Sequence, residues 1–127
     1  MRYLCLIYRD EKAIEALSRL QFDALVREAL AYDDALRASG HYLASGALQS
    51  VQTATTVRIR DGRTLATDGP FAETKEQLGG FVLIEARDLD EAIRVASKIP
   101  PARLGCVEVR PIREPPSSRS PTPRPRP

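Results

Sequence analysis

The longest regular pattern in the chain restricts its fold more than any composition figure does. Phe22, Leu25, Val26, Ala29, Leu30, Tyr32 and Leu36 recur at three-to-four spacing, while Asp23, Arg27, Glu28, Asp34 and Arg37 fall mostly on the other side. That is the period of a helix with one face to bury. Gly40 follows it as a left-handed C-terminal cap. Ahead of the helix, residues 2–8 form an aliphatic and tyrosine-rich run closed by Arg9-Asp10-Glu11-Lys12, the pattern of a largely buried strand. A second strand fits between Gly40 and Leu48.

The remaining elements follow from local chemistry. Residues 53–60 carry the β-branched Thr55, Thr56, Val57 and Ile59, and Asp61-Gly62 then signals a tight hairpin. The returning strand, Arg63 to Thr67, runs into Asp68-Gly69-Pro70, where proline ends regular pairing. A loop or single helical turn is expected over 69–78, with Thr74 and Gln77 at capping-box spacing. Phe81 to Ala86 reads as a strong strand. Asp88 and Glu91 open a second helix, whose expected inner face is Leu89, Ala92, Ile93, Ala96 and Ile99 and which Pro100-Pro101 stops. A last strand spans about Cys106 to Ile112. The order β-α-β-β-β-β-α-β is an α+β arrangement, a ferredoxin-like βαββαβ core with an extra β-hairpin. Two helices cover one face of such a sheet, so the other face is expected to meet a second copy, giving a homodimer.

Charge separates the body from its end. Residues 1–112 hold 15 basic and 16 acidic side chains, whereas 113–127 hold Arg113, Arg119, Arg124 and Arg126 against Glu114 alone. The body is therefore the single domain, and 113–127 reads as a disordered Pro/Arg-rich tail or a ligand segment for a partner. A slightly acidic, aromatic-poor body argues against nucleic acid as a partner. No apolar run approaches the roughly 18 residues of a membrane helix, and the amino terminus lacks a signal-peptide pattern, so a cytoplasmic location is expected. Cys5 and Cys106 read as buried reduced thiols. With one histidine in the chain, a His-rich metal site is not expected, and no cofactor is called for. Serine-hydrolase, metalloprotease and phosphate-loop motifs are absent.

The most specific stretch is Asp68-Gly69-Pro70-Phe71-Ala72-Glu73-Thr74-Lys75-Glu76-Gln77-Leu78-Gly79-Gly80-Phe81. It resembles the signature of the YCII-related family, and within it the DGPF subgroup of small bacterial proteins. The likeness extends to Tyr3-Leu4-Cys5-Leu6-Ile7-Tyr8, Thr55-Thr56-Val57-Arg58 and Val107-Glu108-Val109-Arg110-Pro111. The resemblance implies a dimeric α+β barrel with a cleft near the Asp-Gly-Pro-Phe turn. Relatives of this kind are thought to use a His-Asp pair in some cases, one branch is similar to a dehydrochlorinase of aromatic degradation, and many are encoded near extracytoplasmic-function sigma factors.

Several side chains are singled out for chemistry. Asp68, at a strand end before Gly-Pro, reads either as a general acid/base or the orienter of one, or as an Asx-turn residue. His41 reads either as Asp68's partner in a proton-transfer dyad or as a cation at a helix carboxyl end. Phe71, Glu73, Lys75 and Arg58 are the expected ligand-binding residues, with packing, solvation and a basic strand face as their structural alternatives. The expected function is a cofactor-free small-molecule enzyme, lyase or hydrolase-like, working by proton transfer on an aromatic or carbonyl-bearing substrate. The competing class is a non-catalytic ligand-binding or regulatory module.

Overall fold

A computed structural model describes residues 1–115; the tail expected over 113–127 lies, from residue 116 on, outside the described residues. The elements run β1 (Arg2–Arg9), α1 (Glu11–Glu15), α2 (Arg19–Ser39), β2 (Tyr42–Ala47), β3 (Thr55–Arg60), β4 (Arg63–Asp68), β5 (Gln77–Glu85), α3 (Leu89–Ala96) and β6 (Gly105–Pro111), with 3-10 turns at Val51–Thr53 and Pro100–Leu104. Four strands form an antiparallel sheet in the order β2-β5-β1-β6, and β3 and β4 form a separate two-stranded sheet. Setting the hairpin aside, this is the split βαβ order of a ferredoxin-like fold.

Capping explains where the helices start and stop. Ser18 and Gln21 close a reciprocal capping box at the start of α2, and Gly40 ends it at φ 83°. Asp88 caps α3 by accepting from the Glu91 amide. At the hairpin tip Asp61 (φ 52°) and Gly62 (φ 75°) are both left-handed, as a turn matching the twist of the paired strands requires.

The core lies between one sheet face and the helices. Tyr3, Cys5 and Ile7 alternate inward from β1, Val82 and Ile84 from β5, and Leu36, Ala92, Val95, Ala96 and Ile99 close over them. The Tyr32 hydroxyl donates to the Val95 carbonyl at 2.6 Å, tying α2 to α3.

Several expectations are corrected. The stretch after Pro70 makes no helical turn. Gln77 is the first residue of β5; its side-chain amide donates back to the Thr74 carbonyl at 2.7 Å, and its Oε1 accepts from the Glu11 amide at the start of α1 instead of capping a turn begun at Thr74. The buried stripe of α3 is Ala92, Val95 and Ala96, continued past its end by Ile99, while Leu89 and Ile93 are half exposed, because the small Ala92 rather than a longer side chain presses on the sheet. On α2 only Leu25 and Leu36 are buried; Phe22, Val26 and Leu30 stay exposed along a groove. Cys106 is exposed, because in register it sits opposite Tyr8 on the helix-free face. The short α1 and the 3-10 turn begun by Pro100 went unanticipated, since neither is long enough to show a period.

Candidate functional site

The helix-covered face of the sheet is not completely filled. Between α2 and the strands lies a cavity of about 360 Å³, walled by Phe22, Val26 and Leu30 of α2 and floored by Ile7, Gly80 and Val82. That size suits a small ligand. Gly80, in register between Ile7 and Ala47, contributes no side chain to the floor.

Besides Tyr32, whose hydroxyl is tied to Val95, three polar side chains break the apolar lining: Arg9, Asp33 and Ser45. Asp33 is carried by α2 one turn beyond Ala29, so it falls on the helix's inward stripe. Ser45, on β2 opposite Val82, donates its hydroxyl hydrogen to Asp33 Oδ2 at 3.0 Å. With that hydrogen committed, Tyr42 is the donor in the 2.8 Å contact between its hydroxyl and Ser45 Oγ. The Arg37 guanidinium stacks 4.2 Å from the Tyr42 ring centre. The result is a Tyr42–Ser45–Asp33 chain that orients one carboxylate oxygen and leaves Asp33 Oδ1 without a protein hydrogen bond among the described residues.

Arg9 ends β1 on the inward register after Tyr3, Cys5 and Ile7. Its guanidinium lies against the β5 backbone and donates to the Gly79 carbonyl at 3.5 Å. A Cβ at Gly79 would stand 2.5 Å from Arg9 Nε, so a side chain there would force the guanidinium to move. Burial lowers the Arg9 pKa, with Glu11 opposing the shift.

The residues chosen from sequence stand elsewhere. His41 follows the cap of α2, with Nδ1 2.7 Å from Ser39 Oγ and Nε2 3.3 Å from Glu91 Oε1. The Arg87 amide, helped by the Arg87 side chain and His41, holds the Glu91 carboxyl below its ordinary range against a desolvation that pushes it up. Ser39, His41 and Glu91 fall in the order of a hydrolase triad, but Ser39 Oγ also donates to the Leu36 carbonyl at 3.1 Å and sits at the carbonyl end of α2. An oxyanion there would meet acceptors, so the trio is read as a helix-end cluster.

Asp68 is exposed at the end of β4, and its carboxylate makes no hydrogen bond or ion pair among the described residues. The Asx-turn reading therefore fails; the turn is closed by the Gly69 amide donating to the Ala54 carbonyl at 2.7 Å. Nor does one chain join Asp68 to His41. The Glu85 amide binds the His41 carbonyl at one end of β5, whereas Glu11 anchors Ser50 and Val51, at the root of the hairpin, to the Gln77 end. Those ends are about 26 Å apart for a strand of this length. Arg58 donates to the Phe71 carbonyl at 3.4 Å, the Phe71 ring is 77% exposed, and Glu73 and Lys75 are exposed. None of these lines the groove.

Comparison with known proteins accounts for the whole described length. The model of the YCII-related domain matches residues 1–115. The chain belongs to the YCII-related family. A protein of Rhizobium meliloti (strain 1021) described as uncharacterized protein R00369 is 38% identical over 114 residues, covering 88% of this chain and 92% of its own.

Asp33, Ser45, Tyr42 and Arg9 are the groups that sequence reasoning passed over. Their signal was present: Asp33 lies four residues after Ala29 on an otherwise apolar stripe, and Arg9 continues the inward alternation of β1. Among the described residues, no three His, Cys, Asp or Glu side chains converge as a metal site, and no helix is long and apolar enough to cross a membrane.

Proposed function

We propose that this YCII-related domain is a small-molecule enzyme whose proton transfers are made by its own side chains in the α2–sheet groove. The observation that carries the reading is Asp33, held by Ser45 and Tyr42 with one oxygen left free in the wall of an apolar cavity. A carboxylate so placed has the held side chain and the open lone pair that a general base needs. Proton abstraction next to a carbonyl or on an aromatic ring suits it. Asp33 takes over the role that the sequence pointed to in Asp68 and His41, because it alone of the three lines the cavity.

The test is deuterium incorporation from D2O, followed by NMR, over a panel of 2-oxo acids and hydroxylated aromatics. A panel member should exchange in the presence of the wild type. Asp33→Asn should lower that rate about 10²- to 10⁴-fold with the fold intact, and Ser45→Ala should lower it less. Full retained exchange in Asp33→Asn would remove the assignment.

The same reading includes a homodimer. Leu4, Leu6 and Tyr8 of β1 and Phe81 and Leu83 of β5 point away from the helices and are only half-buried, beside Glu108 and Arg110 of β6. An apolar centre with charges of both signs at its edge suits a second copy of this face. Light scattering should give twice the chain mass, and Leu6→Lys should give a folded monomer.

A further inference from the structure

The groove is amphiphilic in a directional way. Asp33 and Ser45 mark one end, over β2, and Arg9 marks the other, at the end of β1. Ser45 pairs with Val82, Val82 pairs with Cys5, and Arg9 lies four residues further along β1. Four residues along a strand and two strands across place their Cα atoms on the order of 16 Å apart. Between them the lining is Ile7, Gly80, Val82 and the apolar stripe of α2.

Arg9 forms no salt bridge among the described residues, the carboxylate that acts on it electrostatically, Glu11, is committed to Ser50 and Val51, and its one hydrogen bond, to the Gly79 carbonyl, is 3.5 Å long. A guanidinium always carries its charge in proteins and offers five N–H donors in a plane. One long bond leaves most of those donors free at the mouth of an apolar cavity. The acidic side chain of the groove is spoken for by Ser45 and is too far along the sheet to neutralise it. The unmet need at that end is an anion with two acceptor oxygens, which a guanidinium binds bidentately.

We propose that the groove takes an amphiphilic carboxylate, its carboxylate on Arg9, its apolar body along Val26, Leu30 and Gly80, and its reacting end at Asp33. This names the substrate class for the site proposed above and rests on that reading. It fits the conjunction of Arg9 with Gly79: a side chain at residue 79 would collide with the guanidinium where it now stands. It also separates two roles, since Arg9 anchors the ligand and takes no part in proton transfer.

Octanoate and octanamide share an apolar chain and differ in charge, so they probe the two parts independently by isothermal titration calorimetry on the full chain. Wild type should bind octanoate at least about tenfold more tightly than octanamide, the equivalent of one charge-assisted hydrogen bond. Arg9→Gln should abolish that preference by weakening octanoate far more than octanamide, and Arg9→Lys should keep part of it. Ala29→Trp, which fills the groove and leaves Arg9 in place, should abolish binding of both. Equal affinities in the wild type, or a preference that survives Arg9→Gln, would overturn the carboxylate class while leaving the groove standing. Absence of binding by either compound, or binding unaffected by Ala29→Trp, would overturn the groove and with it the site. Circular dichroism of each variant establishes that a loss is not unfolding.

Discussion

The four-stranded sheet and the β3–β4 hairpin are built from similar residues and meet different fates. In the sheet, β1 and β5 bury every second side chain, down to complete burial of Cys5 and Ile84. In the hairpin, Val57 is 58% and Ile59 67% exposed, and no side chain of either strand is buried. A two-stranded hairpin alone is marginal in water. What holds this one is local: its left-handed turn, the Gly69–Ala54 bond and the 2.8 Å bond from the Thr56 hydroxyl to the Gly69 carbonyl. The hairpin therefore leads into the Asp68-Gly69-Pro70-Phe71 turn without contributing to the core. Strong strand propensity says that a segment pairs; it does not say that the segment is buried.

The sharpest way to break this contrast is to truncate one isoleucine in each region. Ile84→Ala, in the core, should cost about 2–5 kcal/mol in urea unfolding, whereas Ile59→Ala should cost no more than about 0.5 kcal/mol. Comparable losses would mean that the hairpin packs against something in solution. Excision comes next. Residues 54 and 69 are hydrogen-bonded neighbours, so joining them and removing 55–68 should leave cooperative unfolding and change stability by less than about 1 kcal/mol. Loss of cooperativity would show that the hairpin props the sheet.

The two cysteines extend the comparison to the two faces of the sheet. Burial pushes the Cys5 thiol up to about 11, and Cys106 is exposed. Iodoacetamide at neutral pH should leave Cys5 unlabelled until the protein unfolds, and Cys106, on the helix-free face beside Tyr8, should react faster in the Leu6→Lys monomer than in the wild type. Because the native state holds the Cys5 proton more tightly than the unfolded chain, its contribution to stability is complete below pH 9.0 and is lost as pH rises to about 11. Stability should fall across that window, and Cys5→Val should flatten the fall. The smallest effect belongs to Glu91. Its lowered pKa adds stability that is complete above its ordinary value of 4.5 and is lost as pH falls through the native value. Glu91→Gln should show a shallower acid loss in urea midpoints measured from pH 6 downward.

The order of elements was legible because each signal is local. The period of α2, its Gly40 cap, the Asp61-Gly62 turn and the Asp88 cap depend on residues within a few positions of one another, and all are realised. Burial was legible only in part. Phe22, Val26 and Leu30 have the right period, yet whether they meet the sheet or leave a groove depends on the residue opposite, and opposite them the sheet offers Gly80.

The site was the least legible part. Asp68 and His41 stood out as chemistry-bearing residues beside glycines and a proline, but the distance between them is set by strands they do not belong to. Asp33 and Ser45 are unremarkable in the chain and become a pair only when β2 pairs with β5 and α2 packs across both. By itself the sequence determined the longer elements, the α+β class and the family, because propensity, capping and patterning act over a few bonds. Only the tertiary structure decided which carboxylate faces the cavity and that the Arg9 guanidinium lies against Gly79, because those are contacts between residues separated by whole elements of the fold.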